Sequence, residues 1–227
     1  RHHVFWDTEI FILPLFTYTL PHLARNMLLY RYHNLAGARQ KARGNGYYGA
    51  QFPWESAADG TEVTPVWVTH FADPTQLVRI WTGDIEIHIT ADIAYACMQY
   101  WHITGDDAWM RDHGAEIILD GANFWASAAQ LEADGRRHFR NVIGPDEYHD
   151  RIDDNAYTNH LARWHIETAL ALLEWLQDHA PENARVLCEQ LEIDDNRLAF
   201  WREVASSIYT GNVTESGVIE QFAGYFG

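Results

Sequence analysis

Residues 142–159 decide how this chain is organised, and they read VIGPDEYHDRIDDNAYTN. Gly144-Pro145 is a turn signal, because a proline biases the residue before it away from the right-handed helical region. Asp154 or Asn155 then suits the N-cap of a helix. Apolar residues follow at the spacing of one helix face, at Tyr157, Leu161, Trp164, Ala169, Leu172, Leu173 and Leu176. The stretch therefore predicts a loop that runs into an amphipathic helix.

Acidic and imidazole side chains crowd into this loop: Asp146, Glu147, His149, Asp150, Asp153 and Asp154. They suit a solvated loop that caps the helix, because carboxylates are favourable at the positive end of a helix dipole. They could also ligate a metal, although their spacing fits neither an EF-hand loop nor a zinc pattern. In a third interpretation, one carboxyl in an aromatic pocket keeps its proton and acts as a general acid. Spacing alone does not decide between the first and the third.

Six short motifs are distributed along the chain: FWDTE (5–9), QFPWES (51–56), HITADIAY (88–95), GPDEYH (144–149), DNAYTN (154–159) and EQF (220–222). In sequence and in order they closely resemble the central catalytic domain of glycoside hydrolase family 65. That family contains maltose, trehalose and kojibiose phosphorylases and related α-glucoside hydrolases. The resemblance covers nearly the whole chain.

An all-α chain is predicted by the helical periodicity of most segments. The predicted helices are two within 5–35, broken around Pro21, and others at 36–44, 86–104, 106–130, 155–179, 181–190 and 194–209. The resemblance implies an (α/α)6 barrel of the six-hairpin glycosidase type, of which residues 1–227 would be an incomplete part of one catalytic domain. On this resemblance, we expect residues 1–227 to contain neither the N-terminal β-sandwich nor the C-terminal β-domain of the family. Because the chain starts without Met and stops on AGYFG, we expect an internal fragment, inactive by itself.

The resemblance also implies roles for individual residues. Glu147 matches the family's general acid, and Trp6 with Asp7 matches the pair that binds the non-reducing glucosyl ring. A carboxylate can accept two sugar hydroxyls while an indole supplies apolar contact. From the residues alone, a helix cap is the favoured role for Asp7.

Four more substrate-binding residues are predicted. The resemblance puts Trp54 and Glu55 at the acceptor end of the sugar pocket, where the alternative is a packed loop residue and a solvated acid. His88 and Thr90 lie at the entrance of a helix, within reach of a ligand, although a structural histidine is the commoner case. No metal site and no cofactor is predicted.

The reaction implied by the resemblance inverts the anomeric centre of an α-glucosidic disaccharide of the maltose, trehalose or kojibiose type. Phosphate as co-substrate would give β-glucose 1-phosphate and glucose; water would replace it in a hydrolase, with a second carboxylate roughly 6.5–9.5 Å from the acid. The family's phosphate loop and Lys-Gln pair follow the point where this sequence ends, so the choice stays open. A non-catalytic carbohydrate-binding fragment is the alternative from another class.

Composition limits the partners. The net charge of −16 argues against a nucleic-acid partner bound by a basic face, and no run reaches the roughly 20 apolar residues of a membrane span. Two cysteines form no disulfide framework, which favours a reducing cytoplasm. The concentrated basic run 136–140 is interpreted as a solvated strand or hairpin rather than a pocket rim. The resemblance favours a homodimer without fixing the oligomeric state.

Overall fold

The computed structural model describes residues 3–227; Arg1 and His2 lie outside them. Helices dominate the chain, as the periodicity predicts. They are α1 (Leu13–Thr19), α2 (Pro21–His33), α3 (Leu35–Gly44), α4 (Thr82–Ile85), α5 (Ile89–Thr104), α6 (Asp107–Trp109), α7 (Ala115–Ala128), α8 (Ala156–His179), α9 (Pro181–Gln190) and α10 (Asp195–Ser207). A π-helical turn, Thr8–Ile12, precedes α1, and a second, Met110–Gly114, joins α6 to α7.

Three short antiparallel strand pairs hold the loops between the helices. Strand β1 (Val4–Phe5) pairs with β2 (Glu55–Ser56), and β3 (Trp67–Thr69) pairs with β4 (Leu77–Arg79). Strand β5 (Gln130–Leu131) pairs with β6 (Arg137–His138). The predicted irregular stretch 45–84 therefore contains a hairpin, β3–β4, that the sequence analysis did not find.

Local signals set the helix ends. Pro14 and Pro21 lie in the first turns of α1 and α2, where their missing N–H groups cost no helical hydrogen bond. Asn155 caps α8, since its Oδ1 accepts a 3.0 Å hydrogen bond from the N–H of Thr158. Gly105 ends α5 in the left-handed conformation. The loop-to-helix prediction for residues 142–159 is confirmed, with Asn155 rather than Asp154 as the cap.

Helix α7 lies at the centre of the core. Every residue of α7 except Ser127 is buried, and the helix packs against α5, α8 and α10. Gly121 allows α8 to approach closely, because a Cβ there would lie 2.5 Å from Cε1 of His165. The fully buried His165 ring bridges the two helices between the indole N–H of Trp125 (3.2 Å) and the carbonyl of Ile118 (2.8 Å).

The basic run 136–140 includes one strand of a hairpin, as predicted, but it is solvated only in part, since Arg136 is exposed whereas Phe139 is buried. Arg137 and His138 are buried. Each has an acidic partner: Arg137 pairs with Glu203 at 2.9 Å, and His138 Nδ1 lies 2.8 Å from Asp154 Oδ2. Buried polar and charged groups are tolerated when they are paired in this way, and the contact between His138 and Asp154 ties the run to the segment 142–159.

Within residues 3–227, no helix combines the length and the apolar character that crossing a bilayer requires.

Candidate active site

A cavity of about 330 Å³ brings together three of the predicted site residues, Trp54, Glu55 and Glu147. Its size falls in the range of small-molecule sites. Its other lining residues are Thr64, Pro65, Val68, Arg79, Ile80, Trp81, Thr82, Ile143 and Asp150. A second cavity of about 360 Å³, next to Arg39 and Tyr48, contains none of the predicted residues.

The loop that carries Glu147 is closed at its base. Val142 and Ile152 exchange two backbone hydrogen bonds, of 2.8 and 3.0 Å. Gly144 lies directly against the cap of α8, where a Cβ would be 2.3 Å from Nδ2 of Asn155. A side chain at 144 would therefore displace either the cap or the loop, and the turn predicted from Gly144-Pro145 needs this glycine.

Glu147 itself is exposed, and the neighbouring Tyr148 is 98% exposed. The burial of Glu147 in an aromatic pocket, expected from the sequence, is therefore wrong for the described residues. Trp54 and Trp81 do line the cavity that Glu147 borders, so the aromatic wall is present on one side.

The acidic cluster of this loop splits into parts with different roles. Asp154 is buried and accepts hydrogen bonds from His138, Arg140 and the amide of Asn159, so it is a structural centre. Asp146 accepts from Gln221 at 3.0 Å and lies 2.9 Å from His149 Nδ1.

The EQF run at 220–222 thus packs against the loop that carries Glu147, through the bond between Gln221 and Asp146. Phe222 also contacts the ring of His149, at 5.1 Å between centroids.

The described part of the chain contains no group of three His, Cys, Asp or Glu side chains that could bind a metal ion.

Strand pairing brings the segment that carries Trp6 and Asp7 next to Trp54 and Glu55. Phe5 pairs with Glu55 across β1 and β2, and its ring stacks on that of Trp54 at 5.6 Å. Asp7 precedes the first π-helical turn but makes no capping hydrogen bond, so the alternative role as a cap is not realised. Neither Trp6 nor Asp7 lines the cavity of Glu147.

His88 and Thr90 do not reach open space. Both side chains are fully buried. The hydroxyl of Thr90 accepts a 3.0 Å hydrogen bond from the N–H of Phe52, which leaves it a structural role in the QFPWES loop. The ring of His88 packs edge-on against Trp6, at 5.0 Å between centroids. The expectation of direct sugar contacts by these two residues is therefore not supported, because their polar atoms are already bound to protein.

Three residues that the sequence analysis did not single out shape the site: Glu62, Thr82 and Glu86. Thr82 lines the cavity, and Glu86 is a buried carboxyl behind it. Glu62 fixes the QFPWES loop, since it accepts from the backbone N–H of Trp54 at 2.8 Å and of Glu55 at 3.1 Å. No sequence signal marks these residues, because their importance depends on contacts between separate loops.

Glu62 also pairs with Lys41 at 2.6 Å. Burial alone would raise the pKa of the Glu62 carboxyl, but Lys41 and the hydrogen bonds from Thr64 and Trp54 outweigh burial and hold it below its usual value. The stability that this carboxylate contributes is thus present above an ordinary carboxyl pKa, near 4.5, and is lost as the pH falls through the lowered value.

Replacing Glu62 by alanine should destabilise the fold by about 2–3 kcal/mol at pH 7, because it leaves Lys41 and two backbone N–H groups without their acceptor. The variant should also show a smaller loss of stability between pH 5 and pH 3. Urea unfolding at several pH values measures both effects. Glu215→Ala, in an exposed loop, is the control. Equal acid slopes for the variant and the unmodified chain would contradict the assigned role of Glu62.

Comparisons with known proteins identify the family and the fold of this chain. The sequence profile of the glycosyl hydrolase family 65 central catalytic domain matches residues 1–227, and the chain belongs to that family. A kojibiose phosphorylase from Halothermothrix orenii is 45% identical over 99% of this chain. One from Caldanaerobacter subterraneus subsp. tengcongensis is 46% identical over 100% of it. The chain spans 29% of the length of each.

A kojibiose hydrolase from Flavobacterium johnsoniae is 39% identical over 84% of the chain. Among solved structures, one described as a candidate kojibiose phosphorylase from the human microbiome superposes with a TM-score of 0.84 over 99% of this chain and 28% of its own. At 22% identity that likeness shows the fold, and the prediction of an all-α chain forming part of an (α/α) barrel is confirmed.

Proposed function

We propose that the whole protein cleaves an α-glucosidic disaccharide with phosphate and inversion, giving β-glucose 1-phosphate and glucose. Glu147 protonates the departing glycosidic oxygen. The observation that carries the proposal is the single cavity in which Glu147 meets Trp54 and Glu55. This arrangement combines a proton donor with an aromatic surface and a hydroxyl acceptor, the three elements that sugar cleavage requires.

The role of Glu147 is supported by its electrostatic surroundings. Burial raises the pKa of Glu86, and the charge of Glu147 raises it further, so these two carboxyl groups lie within electrostatic reach of each other. Two carboxyl groups so placed resist carrying two negative charges at once. A disaccharide in the cavity would also cover the exposed Glu147 and exclude water from it.

Trp6 and Asp7 are proposed to hold the non-reducing glucosyl ring. Asp7 makes no capping hydrogen bond, so its carboxylate can accept two sugar hydroxyls. Trp6 is held in place by edge contacts with His88 and with Phe11, at 5.0 and 5.3 Å between ring centroids. His88 and Thr90 then act as positioning residues for Trp6 and for the QFPWES loop.

Phosphate is proposed as the attacking group, because relatives named as phosphorylases include kojibiose, nigerose, glucosylglycerol and trehalose enzymes. Kojibiose is the first substrate to test, since kojibiose phosphorylases match at 45–46% identity. A hydrolase is the second candidate. The kojibiose hydrolase relative supports it, and so do the two further carboxylates that line the cavity, Glu55 and Asp150.

Incubating the whole protein with kojibiose, trehalose, maltose and nigerose, with and without phosphate, tests the proposal. We expect β-glucose 1-phosphate only when phosphate is present, read by the anomeric proton signals in NMR spectra. If glucose forms equally well with and without phosphate, the protein is a hydrolase and not a phosphorylase. Sugar binding without any product would support the alternative of a non-catalytic carbohydrate-binding protein.

We also propose a cytoplasmic location for the protein and a set of binding partners. Cys97 and Cys188 are both free thiols, in agreement with a reducing cytoplasm. The partners proposed are the disaccharide, phosphate and a second copy of the chain, with no resident cofactor.

A further inference from the structure

Two segments that are 75 residues apart in sequence meet at the side chain of Asp146. Nε2 of Gln221 donates a 3.0 Å hydrogen bond to Asp146 Oδ2. The same oxygen lies 2.9 Å from His149 Nδ1, and Asp146 Oδ1 accepts from the N–H of Tyr148 at 3.2 Å. One carboxylate therefore holds both the loop that carries Glu147 and the distant segment 220–224.

The bond from Tyr148 closes a turn that has Glu147 at its centre. An aspartate that accepts from the N–H two residues further on forms an Asx turn, which fixes the backbone of the residue in between. The N–H of His149 adds a 3.2 Å bond to the carbonyl of Asp146. Because the backbone on both sides of Glu147 is tied to Asp146, a displacement of Asp146 also displaces Glu147.

The segment 220–224 is itself fixed to the protein, so the side chain of Gln221 reaches Asp146 from an anchored backbone. The carbonyl of Gln221 accepts a 2.9 Å hydrogen bond from the N–H of Ala156, the first residue of α8. The N–H of Ala223 donates to the carbonyl of Asp153 at 3.0 Å. Gln221 thus connects the tip of the Glu147 loop to the start of α8.

The bond between Gln221 and Asp146 has a charged acceptor. The hydrogen bonds from Gln221 and His149 lower the pKa of the Asp146 carboxyl, and the bond from Gln221 is the largest cause. Asp146 is therefore ionised at neutral pH, and an ionised acceptor makes a stronger hydrogen bond than a neutral one.

We propose that Gln221 is a positioning residue, which acts through Asp146 to hold Glu147 where it can protonate the glycosidic oxygen. The inference rests on the proposed function, in which Glu147 is the general acid. A proton donor must lie within hydrogen-bond distance of the atom that it protonates. A displacement of about 1 Å can lower the rate about 100-fold, so an acid on an exposed loop needs such an anchor.

Gln221→Met tests the inference in the whole protein, because methionine keeps the length of the side chain and removes the donor. The substrate is whichever of kojibiose, trehalose, maltose and nigerose the unmodified protein cleaves fastest with phosphate. We expect kcat on this disaccharide to fall about 10- to 100-fold. Turnover of α-glucosyl fluoride should change little, because fluoride departs without full protonation. A merely structural role would lower turnover of both substrates alike.

Two further variants test the path from Gln221 to Glu147. Asp146→Asn retains an oxygen for the N–H of Tyr148 but replaces the second carboxylate oxygen, the acceptor for Gln221, by an amide nitrogen. It should show the same difference between disaccharide and fluoride. Adding Gln221→Met to Glu147→Gln should cause no further loss of turnover on the disaccharide, because the acid that Gln221 positions is already missing.

Gln190→Met is the matched control, since Gln190 at the end of α9 also donates to a carboxylate, that of Glu116, at 2.8 Å. It should leave turnover of both substrates unchanged, and thermal unfolding shows that each variant is folded. The inference is overturned if Gln221→Met keeps its turnover, loses it equally on both substrates, or adds to the loss in Glu147→Gln. If the unmodified protein cleaves none of the disaccharides, or Glu147→Gln keeps its turnover, the proposed function fails first and the inference fails with it.

Discussion

Glu147→Gln is expected to lower turnover of the whole protein by about 100- to 10 000-fold, the usual contribution of a general acid. Glutamine keeps the size and polarity of the side chain but has no proton to give to the glycosidic oxygen. Affinity for the sugar should change little, because the ground state does not need that proton. The measurements are kcat with kojibiose and phosphate, and Kd for the sugar by calorimetry.

The leaving group provides an independent check. α-Glucosyl fluoride departs without full protonation, so Glu147→Gln should retain far more of its activity on the fluoride than on the disaccharide. Glu189→Gln, exposed on α9, is the matched control and should behave like the unmodified protein. If Glu147→Gln lost the same share of its turnover on the fluoride and on the disaccharide, or kept its turnover on both, Glu147 would not be the general acid.

The second large effect concerns the buried ion pair between Glu9 and Arg31. Arg31 donates to the carboxylate of Glu9 through two hydrogen bonds, of 2.6 and 2.9 Å, and both side chains are essentially inaccessible to solvent. The pair joins the π-helical turn after Asp7 to α2. Replacing Arg31 by methionine should destabilise the fold by about 3–5 kcal/mol, because it leaves a buried carboxylate without its partner. Chemical denaturation followed by tryptophan fluorescence measures the change.

Two further variants separate the charge effect from simple loss of packing. Glu9→Met combined with Arg31→Met should recover most of the lost stability, since no unpaired charge remains. Arg163→Met removes an exposed ion pair with Glu167 and should change stability by at most about 1 kcal/mol. If the double variant were as unstable as Arg31→Met alone, burial of an unpaired charge would not be the cause.

Much of the architecture follows from local signals. The periodicity of apolar residues predicts α5 and α8 close to their observed bounds, and Pro21 marks a helix start as expected. These features depend on residues near one another in sequence, for which the helix and turn rules are strong.

The site was predictable in part. Motif resemblance identified Glu147, Trp54 and Glu55, which the fold brings to one cavity. It did not reveal that His88 and Thr90 are buried and bonded to protein, nor that Glu86 lies behind the wall. The hairpin β3–β4 also escaped prediction, because its strands are three residues each and carry little periodicity.

By itself, the sequence determined the family, the helical class, the helix ends and the identity of the candidate acid, since each of these is encoded in contiguous residues. Only the tertiary structure decided which carboxylates are buried and which are exposed. Glu86 and Asp154 became buried centres of hydrogen bonding and Glu62 a partly buried one, while Glu147 stayed accessible. The physical reason is that the surroundings of a charge depend on side chains from loops distant in sequence, and only folding brings those loops together.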